Sequence, residues 1–79
     1  IDLHELALEL SHVRAAMKVA EGDVEQDVAI GAVAAAEKAA REGNGPGTLQ
    51  HLKVAGRWAL SVAEKIGVRV AAEAIKRVM

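Results

Sequence analysis

A single proline and seven glycines punctuate this chain of 79 residues, and nearly everything between them repeats with helical period. The breaks fall at Gly22, at Gly43-Asn44-Gly45-Pro46-Gly47 and at Gly67, which predicts four helices over about 2–21, 24–42, 46–66 and 68–79. Such a chain makes one domain, 1–79, and buries only about 60% of the surface its unfolded form exposes. The expected architecture is therefore an all-α compact bundle of four helices, the last one short.

Each segment carries its own signature. In the first, Leu3, Leu6, Leu10, Val13, Met17 and Ala20 recur at alternating spacings of three and four, the pattern of a helix packed along a seam. Asp23, followed three residues later by Gln26, reads as the N-cap of the second helix, with Glu25 and Asp27 placed where the helix dipole favours negative charge. The buried face expected there is Val24, Val28, Ala32, Ala35 and Ala39, with Gly31 beside it to admit a neighbouring backbone. Gly43 suits the position after a helix end, and Pro46 suits the first turn of the third helix.

At 100° per residue the third segment places Trp58, His51, Val62, Ala55, Ile66, Ala59, Leu52, Ala63, Gly56, Leu49 and Leu60 on one arc of about 200°. An arc that wide belongs to a central helix. Gly56 lies within it and reads as a notch for close helix packing, while Trp58 sits at its edge as the one large anchor. Val54 falls among Lys53, Arg57, Glu64 and Lys65 on the side left for water. Beyond Gly67, the face of Val68, Ala71, Ala72, Ile75, Val78 and Met79 would lie over the charged side of a straight helix, so Gly67 is expected to cap and turn the chain.

Composition limits the core and the chemistry. Hydrophobic residues form 52% of the chain, but there is no phenylalanine or tyrosine and alanine is the commonest apolar type, so the core is thin in volume. There is no cysteine, hence no disulfide and no thiolate metal site, which fits a reducing compartment and a cytoplasmic location. Residues 1–43 carry nine acids against four bases, a net of −5, whereas residues 44–79 carry six bases against two acids, a net of +4. Opposite halves attract, within a chain or between chains. The longest uncharged helical run, from 28 to 36, is far short of the roughly 20 residues of a membrane span. The chain opens at Ile1 rather than methionine, which leads to the expectation of a domain excised from a longer protein.

Few residues offer chemistry. Glu9-Leu10-Ser11-His12 has the Glu-x-x-His spacing of carboxylate di-iron bundles, but one copy lacks its partners, and Glu5 and Glu9 fall outside the leucine seam. Surface glutamate and histidine is the favoured reading, with no metal and no cofactor. Ser11 and Ser61 have no matched base and acid, so catalysis and a small-molecule substrate are not expected. The glycine-rich loop lacks the lysine and preceding strand of a phosphate-binding loop.

What remains is association. Leu8, Ala15 and Val19 form a second apolar strip nearly opposite the seam, with His12 at its edge. Ile30 stands among Gln26, Asp27, Glu37 and Arg41 as another exposed candidate, and His51 and Trp58 share one edge of the third helix. Residues 49–79, LQHLKVAGRWALSVAEKIGVRVAAEAIKRVM, resemble a short helical module at the C-terminus of uncharacterised bacterial proteins, through the lead-in of leucine and lysine, the Ala-Gly-basic-Trp-Ala stretch around Trp58, and Lys65-Ile66-Gly67-Val68. The resemblance implies an accessory, adaptor-like role in signalling or defence architectures. The expected function is a non-catalytic oligomerisation or protein-interaction module, as a packed or helix-swapped homodimer or docked on another helical protein. Its rival is a regulatory nucleic-acid-binding domain using the basic C-terminal half.

Overall fold

The computed structural model describes residues 2–20 and 22–79, and these form four helices: α1 (Leu3–Ala20), α2 (Val24–Arg41), α3 (Gly45–Ile66) and α4 (Arg69–Arg77). The expected last residue of the first helix, Glu21, lies outside the described residues. The termini follow local chemistry. Asp2 Oδ1 accepts the N–H groups of His4 and Glu5 at 3.0 and 3.1 Å, and Asp23 Oδ1 accepts that of Gln26 at 2.8 Å, so α1 and α2 each begin on an aspartate cap. Gln26 Oε1 reaches back past Asp23 to the N–H of Gly22.

Between α2 and α3 the chain turns in two steps. Gly43 takes a left-handed φ of 76°, and the N–H groups of Gly43 and Asn44 return to the carbonyls of Ala40 and Ala39, the crossed pair that closes a helix end. Asn44 then caps α3 by accepting the Gly47 N–H at 2.9 Å. A Cβ on Gly47 would fall 2.5 Å from the Asn44 side chain, so this cap requires glycine there. Gly67 ends α3 with φ of 80°, and the Val68 N–H reaches the Ala63 carbonyl, which turns α4 back as the sequence leads one to expect.

α3 touches all three other helices, α2 lies against α1 and α3, and α4 lies against α3 and α1. The core is built from the seam Leu6, Leu10, Val13 and Met17, joined by Val33, Leu52 and Ile75, all at 0–1% exposure. Leu3 packs at its margin, whereas Ala20, expected to close the seam, is exposed. Thr48 is fully buried in this company and donates its hydroxyl to the Asn44 carbonyl at 2.7 Å.

Two expectations about helix faces are corrected. On α2 Ala32 and Ala39 are buried as expected, but the rest of the buried side is rotated: Val33 and Ala36 are at 0% exposure and Ile30 at 8%, while Val24 and Val28 face outward. Ile30 is therefore a core residue and not an interaction candidate. The physical reason is Glu37. Its carboxylate, on the same side as Ile30, is held by Arg14 Nε from α1 at 2.9 Å and by Arg41 Nη2 at 2.7 Å, so a face that reads as solvated is packed. The second correction is α3. Gly56 has φ of 75° and ψ of −159°, which breaks the helical path into two arms, although the expected arc still supplies the buried Leu52 and Ala55 before the bend and Ala59, Val62 and Ala63 after it. Nothing lies within 4 Å of a Cβ built on Gly56 or on Gly31. Neither glycine is a packing notch: Gly56 is there for its backbone conformation.

Candidate interaction surfaces

Of the residues expected to mediate association, four share one face, Trp58 borders a groove, Ile30 is buried, and His51 is exposed apart from both surfaces. Leu8, His12, Ala15 and Val19 share an outward face of α1, with Val19 at 90% exposure. The opposite side of α1 carries the buried seam, so no element of the same chain covers this strip. Near its N-terminal end His4, Ala7, Leu8 and Arg41 border a shallow cavity of about 440 Å³.

Trp58 is half-buried, packed against the core on one side. Its other side opens on a groove of about 580 Å³ between the start of α2 and the bend in α3, lined by the exposed Val24, Val28 and Val54, the buried Ala29 and Ala55, and Asp23 and Glu25. Val24 is 76% exposed. The bend positions this site: Val54 lies near the end of the first arm of α3 and Trp58 near the start of the second, with Gly56 between them. His51 is exposed one turn earlier but does not line the groove.

Val24, Val28 and Val54 escape the sequence reading, the first two because they fit a plausible buried period and the third because it stands alone among charges. A signal for them exists in the immediate neighbours. Asp23, Glu25 and Asp27 bracket the valines of α2 in the sequence, and Lys53 and Arg57 stand next to Val54 and Trp58, so each apolar residue has a charged neighbour.

Glu9, half of the Glu-x-x-His spacing, turns to α4, where its Oε1 accepts the Ala71 N–H at 2.8 Å, and His12 faces outward. Among the described residues no three His, Cys, Asp or Glu side chains come within reach of one metal ion, and no helix is long and apolar enough to cross a membrane. A further open cavity of about 510 Å³ separates α3 from α4, spanned by the Lys76–Glu64 ion pair at 3.4 Å. No protein-family model, curated protein or solved structure matches the chain.

Proposed function

We propose that this domain is a non-catalytic oligomerisation or protein-interaction module of a larger bacterial protein, an adaptor that joins helical surfaces. The observation that carries the reading is the groove at Trp58: the one aromatic side chain stands half-buried beside three valines that face solvent. Large apolar side chains grouped around a concavity mark association surfaces, whereas scattered ones need no explanation. The α1 strip adds a second such surface. The thin core supports the same reading, because a domain with few large buried side chains gains stability by covering more apolar area against a partner.

The test is the mass in solution across a concentration series, by light scattering or sedimentation. Self-association predicts a mass that rises with concentration, and Leu8→Glu with Val19→Glu should hold the chain monomeric without unfolding it. A strict monomer at millimolar concentration removes self-association. A salt-dependent shift of labelled DNA or RNA at physiological ionic strength would move the function to the basic C-terminal half instead.

A further inference from the structure

Resting on that reading, we propose that the occupant of the Trp58 groove is the α1 strip of a second copy of this chain, so that copies join head to tail.

The two surfaces match in shape and in charge. The strip from Leu8 to Val19 spans eleven residue steps, about 16 Å of helix, shorter than the 20 Å least dimension of the domain. It is a convex row of apolar side chains, and the groove is a concave one. Helical spacing sets Lys18 along one border of the strip and Glu5 along the other, both exposed. The groove presents the complement: Asp23 and Glu25 line its α2 side, and Lys53 and Arg57, next in sequence to the lining residues Val54 and Trp58, stand exposed on α3. Among the described residues none of these six is in an ion pair within the chain. Seating the strip with Lys18 over the acidic bank brings Glu5 to the basic one. Reversing it sets like charges together, so charge selects one orientation.

One chain cannot fill its own groove, because the strip faces away from the core and the groove lies between α2 and α3. The contact therefore joins different patches on the two copies, and such a contact continues as an open chain or closes as a ring. A single helix face in a short groove belongs to the small, weak class of interface, under about 1,200 Å² in total, so assembly follows concentration.

Complementation in trans tests the pairing. One variant carries Leu8→Glu and Val19→Glu, which blocks the strip; the other carries Val28→Glu and Val54→Glu, which blocks the groove. All four positions are more than half exposed, so circular dichroism and melting should match the parent; if the second pair unfolds, Val24→Glu alone serves. Each variant alone should remain monomeric at concentrations where the parent assembles. Mixed in equal amounts, they should form a 1:1 pair and stop there, since one intact strip meets one intact groove. If the parent assembles but the mixture stays monomeric, or if only one of the two variants loses assembly, the head-to-tail pairing is overturned while self-association stands. If the parent does not assemble at all, both readings fall together.

Discussion

Glu9 Oε1 accepts the backbone N–H of Ala71 at 2.8 Å, so a side chain in α1 caps the helix that ends the chain, 62 positions away. α4 needs this help. It has nine residues, and its own N-cap, Val68, makes no side-chain cap. A carboxylate at that end satisfies an orphan N–H and meets the positive end of the helix dipole. Glu9→Ala should therefore destabilise the domain by about 1 kcal/mol, the usual size of a lost cap. Glu9→Gln keeps an acceptor oxygen and should lose less. Amide exchange gives the sharper measurement: protection in the first turn of α4 should fall in Glu9→Ala before protection in α1 does. Equal protection in both proteins would show that the cap adds nothing.

The Glu37 cluster yields an ordered series. Its side chain is only 8% exposed, Arg14 is partly covered, and Arg41 is 63% exposed. Arg14→Ala leaves a buried carboxylate oxygen without its fixed partner and should cost about 1–3 kcal/mol. Arg41→Ala removes an exposed pair one helical turn away and should cost about 0.5 kcal/mol. Glu37→Leu removes the buried charge itself, and both arginines can then turn to water, so its cost should be the smallest of the three. Urea unfolding of the three variants checks the order. A larger loss for Glu37→Leu than for Arg14→Ala would mean that the carboxylate is a net source of stability.

The contrast between Asp23 and Glu37 explains how far the fold is legible without coordinates. Asp23, Gly43, Pro46 and Gly67 act through their own turn of backbone, and the seam of α1 repeats along one helix, so residue type and spacing suffice to place them. Glu37 is different. Whether it faces water depends on Arg14, which lies 23 positions earlier and meets it only after α1 and α2 have packed. Reading Glu37 as solvated sends Ile30 outward and Val24 and Val28 inward, although Ala32 and Ala39 are buried as that reading has them. The groove is lost by the same step. The α1 strip is legible because α1 is straight and its seam leaves the opposite side uncommitted. Trp58 is legible as an anchor, but the valines around it come from two helices, so the groove exists only once α2 and α3 have packed.

Gly56 and Gly31 should respond to alanine with opposite signs. Both have open space where a Cβ would go, so neither substitution clashes. Gly56, however, combines φ of 75° with ψ of −159°, a region essentially closed to other residues, and Gly56→Ala should cost about 1–3 kcal/mol or straighten α3. Gly31 lies on the exposed side of α2, inside a regular helix, where alanine is favoured by about 0.5–1 kcal/mol. Thermal melts of the two variants should shift in opposite directions. A stabilised Gly56→Ala would show that the bend is not required by the rest of the fold, and the groove would then be reshaped in that variant.

Trp58 reports on its own groove, since it is the one aromatic residue and the whole of the intrinsic emission comes from it. Half-buried, with solvent on the side of Val24, Val28 and Val54, its indole should emit at the longer wavelengths of a partly wet ring in the dilute protein. Filling the groove expels that water, so the emission should move to shorter wavelength as concentration rises, in step with the increase in mass. The Leu8→Glu, Val19→Glu variant leaves Trp58 untouched and should show no movement over the same range. Trp58→Ala should lose less than the about 3–5 kcal/mol of a fully buried aromatic, because part of the ring is already in water, and should stay folded while assembly is lost. A rise in mass with unchanged emission would place the contact elsewhere on the molecule and leave Trp58 as a packing residue at the edge of the core.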